Sequence, residues 1–223
     1  MTCNHVIPSE AHARGAEVQF NYQLDYRGNP QTMDVYSPDP DSVFYSNVAL
    51  DFTLVKLNPH CRSIFDPFTP KQSVDRALVD RSLTSTKPFW TCLYPGYVWG
   101  HLQLLNTVSY AGPSGDQPGQ HLNIVQHPQG RRKEVALQRN SITNIYANRI
   151  RYTTDTEPGS SGSPVLNNQW DLVAIHHAAG ELGSTLNTWL NNEGMRIDMI
   201  VADLREHYAG STTGDQILAE LGI

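Results

Sequence analysis

The residues with the clearest chemical potential are Gly159-Ser160-Ser161-Gly162-Ser163-Pro164, followed at once by the apolar pair Val165-Leu166. Small residues leading into an apolar strand are what a serine nucleophile requires. Its hydroxyl has to project from a tight turn, and the N–H groups of Gly159 and Ser161 have to converge where a carbonyl oxygen would become negative. Glycine two residues before the serine lets the chain turn without a Cβ clash, and glycine just after it leaves room for a substrate. The competing reading is a Ser/Gly turn between two strands with no chemistry attached.

A serine hydroxyl is a poor nucleophile until a base takes its proton, and the base needs an acid to fix its tautomer. The run Val48-Ala49-Leu50-Asp51-Phe52-Thr53-Leu54-Val55-Lys56-Leu57 has strand-like composition and one early acid, Asp51. Burying that carboxylate is costly unless it has a partner, and a histidine would suit. His5 stands upstream in Thr2-Cys3-Asn4-His5-Val6-Ile7-Pro8, so the order along the chain is His, Asp, Ser.

Together these segments resemble the trypsin-like (chymotrypsin-fold) serine proteases, in particular the branch around the glutamyl endopeptidases. The likeness rests on Thr2-Cys3-Asn4-His5-Val6, on Leu50-Asp51-Phe52-Thr53-Leu54-Val55-Lys56-Leu57 and on Gly159-Ser160-Ser161-Gly162-Ser163-Pro164-Val165. It continues through Ile124-Val125-Gln126-His127-Pro128-Gln129-Gly130 and Leu172-Val173-Ala174-Ile175-His176-His177. Residues 116–205 carry most of it, residues 1–57 less, and residues 58–115 hardly any. The resemblance implies Ser161 as nucleophile, His5 as general base and then acid, and Asp51 as the group that orients His5. Gly159 and Ser161 would form the oxyanion hole through their N–H groups. The resemblance also implies that Thr156, five residues before the nucleophile, and His176, fifteen after it, bind an acidic substrate side chain. Cleavage after Glu or Asp is therefore expected, since a histidine donates to a carboxylate and charge strengthens the bond. Otherwise His176 merely finishes a strand and hydrogen-bonds locally.

The implied fold is all-β: two six-stranded-type antiparallel β-barrels, the first N-terminally truncated, with a C-terminal helix. Residues 1–115 would form the first, incomplete barrel, holding His5, Asp51 and a long insertion at 58–115. Residues 116–223 would form the second, holding Ser161 and the helix. The family places two or three strands before the histidine, so the first barrel is expected to have open edges that an upstream segment or a partner chain completes. Strands are predicted at Glu17–Tyr22, Val48–Leu57, His121–Gln126, Glu134–Arg139, Arg149–Thr153, Pro164–Asn167 and Leu172–His176. Ile197, Ile200, Val201 and Leu204 recur at helical spacing, which predicts an amphipathic helix over Asp198–Tyr208 on the second barrel, ending near Gly210. A further helical turn is predicted at Asp215–Leu221. Within the insertion, Phe89, Trp90, Tyr94, Tyr97 and Trp99 predict a small satellite core that shields the incomplete barrel.

With 223 residues, 16 basic and 22 acidic side chains, the chain has a mildly acidic balance that argues against nucleic acid as a partner. No stretch approaches the ~20 apolar residues of a membrane span, so the expected partner is a peptide or protein substrate, with no nucleic acid and no membrane. Arg131-Arg132-Lys133 after Pro128-Gln129-Gly130 reads as a solvated hairpin turn. Three cysteines, Cys3, Cys61 and Cys92, do not form a paired framework, and with no signal peptide in the chain they point to a cytoplasmic setting. His12, His60, His101, His121 and His207 lack metal-ligand spacing, so neither a metal nor a cofactor is expected.

Other readings remain. A catalytically impaired binding module could use the same fold, or the chain could be a fragment needing an upstream segment for activity. An α/β-hydrolase order is supplied by Ser161, Asp171 and His176 or His177, but Ser163 stands where that motif needs glycine. Cys3 as nucleophile lies too near His5 in sequence for a familiar arrangement, and a metalloprotease lacks its His-Glu-x-x-His.

Overall fold

The computed structural model describes residues 1–63, 90–138, 140–181 and 190–223. Its largest element is an antiparallel sheet of seven strands in the order β8-β7-β11-β12-β13-β10-β9, curled as a half-barrel. The strands are β7 Asn123–Gln126, β8 Glu134–Ala136, β9 Ile142–Ile145, β10 Arg149–Tyr152, β11 Pro164–Leu166, β12 Leu172–Ala179 and β13 Asn192–Arg196. The N-terminal half contributes smaller pairs: β1 Val18–Phe20 with β2 Asp34–Tyr36, β3 Pro38–Asn47 with β4 Phe52–Leu57, and β5 His60–Ser63 with β6 Trp90–Leu93. The β5/β6 register places Cys61 opposite Cys92, a relation their spacing in sequence does not reveal. Two short helices, α1 Glu10–Arg14 and α2 Pro95–Trp99, lie in this half, and α3 Ile197–Tyr208 and α4 Thr212–Leu221 close the chain. The protein is mostly β with a C-terminal helix, as the resemblance implies.

The two halves share one core. Cys3, Phe52 and Leu54 from the N-terminal half pack with Leu166, Leu172, Ile175 and Met195 of the sheet and with Ile197, Ile200, Val201 and Leu204 of α3. The predicted apolar stripe of the helix is thus buried, but against β4 as well as the sheet. Polar contacts secure the same crossing. Tyr45 Oη and Asn47 Nδ2 each donate to the Asp203 carboxylate at 2.8 Å, and the Tyr45 ring stacks on His207 with centroids 3.7 Å apart. Helix α4 is capped by Ser211, which accepts from the Gly214 N–H, and it ends in left-handed Gly222.

Several predicted elements differ in extent. The strand expected at Val48–Leu57 begins only at Phe52, because Asn47 Oδ1 accepts from the Ala49 and Leu50 N–H groups and turns the chain. Asp51 therefore lies on that turn, with φ of 41°, rather than inside the strand. β3 and β13 carry Pro, Asp, Asn and Glu and gave no strand signal; cross-strand pairing makes them strands. Of the expected satellite core, Phe89 and the side chain of Trp90 lie outside the described residues, as do residue 139 of the predicted 134–139 strand and residues 64–88 of the insertion. Trp99 stacks on Phe20, whereas Tyr94, Tyr97 and Trp99 all keep substantial exposure, Tyr97 at 65%. That is looser packing than the aromatic cluster predicts.

Leu204 is fully buried at the junction of the halves. Leu204→Ala is expected to cost about 2–5 kcal/mol of stability in urea unfolding, through lost burial and the cavity left behind.

Candidate active site

Ser161 is held by a turn that only glycine can build on both sides. Gly159 has φ of 98°, and a Cβ there would come within 3.1 Å of the Gln129 nitrogen; Gly162 has φ of 88°, and a Cβ would meet Thr2 Oγ1 at 2.8 Å. Two bonds lock the turn to β12: the Gly162 N–H donates to the His176 carbonyl at 2.8 Å, and the His176 N–H to the Ser163 carbonyl at 2.9 Å. Among the described residues neither the Gly159 nor the Ser161 N–H has a protein acceptor. Both donors are left for a ligand oxygen.

His5 is presented by a short turn in which the Val6 and Ile7 N–H groups both donate to the Cys3 carbonyl. Thr2 pairs with Thr53 of β4 through reciprocal bonds of 2.9 and 2.7 Å, and buried Cys3 anchors the segment in the shared core. The result brings His5, Asp51 and Ser161 together from positions far apart in sequence. His5 Nδ1 lies 2.8 Å from Asp51 Oδ2, His5 Nε2 lies 3.0 Å from Ser161 Oγ, and the His5 N–H donates to Asp51 Oδ1 at 3.0 Å. With Nδ1–H given to the carboxylate, Nε2 is left to accept the serine proton.

His176 is the neighbouring buried imidazole, only 4% exposed. Burial, with His177 and His5 nearby, pulls it down to about 4, so it is neutral at physiological pH. Burial also keeps Tyr152 as a phenol, whose oxygen lies 2.9 Å from His176 Nδ1. When the phenol donates, the ring proton is on Nε2. A cavity of about 570 Å³ adjoins Ser161 here, lined by Thr154, Thr156, His176, Ala178, Asn191 and Asn192 among others. Thr156 Oγ1 donates to Asn192 Oδ1 at 2.7 Å, so its proton is committed within the wall. Thr154 is 1% exposed, and its hydroxyl has no partner among the described residues, so it is a spare donor that sequence reasoning missed. Glu157, also at the cavity, pairs at 2.9 Å with Arg131, a guanidinium it shares with Glu134 at 2.8 Å. A second hollow of about 730 Å³ reaches Ser161 from the other side, between Val6, Phe20, Val125 and His127.

Cys3 does not compete for the chemistry. Its thiol is fully buried, and burial, reinforced by Asp51, pushes it up to about 12. It donates to the His176 carbonyl at 3.3 Å. Among the described residues Cys3, His5 and Asp51 also form a group whose ligand-type atoms lie within 4.8 Å of one another, but these are the hydrogen-bonded atoms just described. Two neighbours have no part in the predicted triad: His177, named only for the α/β-hydrolase order, and Glu193, which was not named. His177 Nδ1 lies 3.1 Å from Asp51 Oδ2, and His177 Nε2 lies 3.1 Å from Glu193 Oε1.

The chain belongs to the trypsin-like peptidase domain family, whose model matches residues 1–175. It is 25% identical over 260 aligned positions to an uncharacterized protein, y4fB, of Sinorhizobium fredii, taking in 99% of this chain and 34% of that protein. It is 23% identical over 206 positions to the secreted RxLR effector protein 73 of Plasmopara viticola, taking in 85% of this chain and 40% of that one. The chain thus spans between about a third and two fifths of these curated relatives. Among solved structures it is similar to a Glu endopeptidase in complex with MPD, with a TM-score of 0.39 and 15% identity over 86% of this chain and 80% of that one.

The buried neutral His176 has a consequence for stability. In the unfolded chain the imidazole takes up a proton below about pH 6.5, while in the folded protein it resists until about pH 4. The unfolded state therefore binds more protons in that window, and stability is lost as pH falls through it. Denaturant titrations from pH 7 to pH 4 are expected to show a decline on the order of 3 kcal/mol from this group, and a shallower one in His176→Gln.

Proposed function

We propose that this chain is a serine endopeptidase that cleaves through an acyl-enzyme intermediate. The observation that carries the reading is the unbroken run from Ser161 Oγ to His5 at 3.0 Å and from His5 to Asp51 at 2.8 Å. Ser161 Oγ attacks the scissile carbonyl carbon while His5 Nε2 takes its proton, and Asp51 stabilises the imidazolium that forms. The carbonyl oxygen, now negative, is received by the Gly159 and Ser161 N–H groups, each worth about 3 kcal/mol in the transition state. The imidazolium then gives its proton to the leaving amine as the C–N bond breaks, which leaves an ester on Ser161. Water hydrolyses the ester by the same steps, with His5 first as base and then as acid, and restores the serine.

We also propose that the residue before the cut is acidic. Support comes from the donors offered to the cavity beside Ser161. With the Tyr152 phenol donating to Nδ1, the Nε2–H of His176 and the hydroxyl of Thr154 have no partner among the described residues. A neutral histidine still donates to a carboxylate, and bringing the anion close favours protonation of the ring, which strengthens the bond. Thr156, paired with Asn192, takes part as a wall that orients the asparagine amide.

A fluorophosphonate probe is expected to label Ser161 in the intact chain and to fail in His5→Ala. Ser161→Ala is expected to lose on the order of a millionfold in turnover, and Asp51→Asn roughly ten-thousandfold. An unlabelled wild-type protein would instead favour a catalytically impaired binding module. For specificity, matched peptides with Glu, Gln, Lys or Leu before the cut are expected to be cleaved fastest at Glu; a preference for Lys or Leu rejects the acidic pocket and leaves the mechanism standing.

A further inference from the structure

His177 is the residue for which the hydrolytic steps above find no use, yet it touches their acid. It follows His176 on β12, and the pairing of β12 with β13 slips between them: His176 lies opposite Gly194, whereas Ala178 lies opposite Glu193. His177 is the extra residue of a β-bulge. A bulge breaks the simple alternation of side chains and re-aims one of them, which is why bulges recur beside active sites. Here it lets neighbouring histidines serve different places. His176 turns to Tyr152 and His177 turns to Asp51, and both line the cavity beside Ser161.

The ring of His177 is clamped between two carboxylates, with Nδ1 3.1 Å from Asp51 Oδ2 and Nε2 3.1 Å from Glu193 Oε1. Its side chain is 17% exposed, those of Asp51 and Glu193 18% and 13%. Ionised carboxylates only accept, so the ring satisfies both at once when both nitrogens carry protons. Glu193 is held in turn from β10. Arg151 Nε donates to Glu193 Oε2 at 3.0 Å, and Arg149 Nε lies 3.0 Å from the same oxygen in an ion pair whose angle is too poor for a hydrogen bond. A continuous polar chain therefore runs Ser161, His5, Asp51, His177, Glu193, Arg151.

We infer that His177 is a positioning residue for the hydrolytic centre, tying the Asp51 carboxylate to the Glu193–Arg151 ion pair of the large sheet. The inference rests on the reading of Ser161, His5 and Asp51 as the hydrolytic group. Asp51 sits on a turn from the N-terminal half, while Ser161 is locked to β12. Among the described residues His177 joins the acid to β12, the strand to which the nucleophile turn is hydrogen-bonded, so it sets how His5 stands against Ser161. It also shares Oδ2 with His5. Removing one donor leaves a carboxylate that holds protonated His5 more tightly, and the base form is then reached only at higher pH. The charged and titratable groups facing His177 are Asp51, Glu193 and His176 directly, with His5 and Cys3 beyond Asp51, and Arg149 and Arg151 beyond Glu193.

The rate at which a fluorophosphonate labels Ser161 reads activation of the serine without requiring an occupied specificity pocket. In His177→Gln, which keeps a donor for Asp51 but loses the span to Glu193, the labelling rate is expected to fall roughly ten- to hundredfold. In His177→Leu, which removes the donor to Asp51 altogether, the acid limb of the pH profile is expected to move to higher pH. Glu193→Gln is expected to lower the rate in the same sense, and the double variant to lose no more than His177→Gln alone. If His177→Gln does not fold, Glu193→Gln with its pH profile decides. Folded variants with unchanged rate and unchanged acid limb, whatever their loss of thermal stability, overturn the inference while leaving the serine mechanism intact. A wild-type chain that is not labelled at all overturns both.

Discussion

The carboxylate of Asp51 is the constraint on which the site depends. It sits where the two halves of the chain meet, mostly out of water, and a buried carboxylate is tolerated only when its oxygens are satisfied. Three donors converge on it: the backbone N–H and Nδ1 of His5, and Nδ1 of His177. The first two come from the N-terminal segment and the third from β12, so satisfying one acid aligns the two halves. The turn that carries Asp51 accepts a positive φ to achieve this, held by the Asn47 side chain.

Around this point apolar burial supplies the rigidity that the polar contacts cannot. Cys3, two residues before His5, is a small apolar plug in the same core as Ile175, one residue before His176. Helix α3 spans β4 and the sheet, so the piece bearing Asp51 and the piece bearing Ser161 are packed against one element. Misplacement of reacting groups by even about 1 Å is expensive in rate. That explains why the joint between the halves is built from fully buried residues rather than surface contacts.

The histidines at 176 and 177 show how environment divides two identical side chains. Burial keeps the first neutral, with Nδ1 2.9 Å from the Tyr152 phenol in the wall of the cavity. The second lies between two carboxylates, each 3.1 Å from a ring nitrogen. A single bulge in β12 separates these roles.

The glycines around Ser161, the apolar stripe of α3 and the strand character of Phe52–Leu57 were all legible locally, because φ preference, helical period and alternation are properties of neighbouring residues. The order His5, Asp51, Ser161 was legible through resemblance, as was the interest of His176. What no local pattern carried was long-range. β3 and β13 are polar strands made by pairing, Thr154 is a spare donor only because the fold buries it, and Glu193 matters only because β13 runs beside β12. His177 could be seen in sequence, but its direction could not, since a bulge depends on the register between two strands. Residue types and near-neighbour spacing thus set which groups can react. Tertiary packing alone decided which of them share a hydrogen bond and which are stripped of water, since those depend on contacts between residues far apart in the chain.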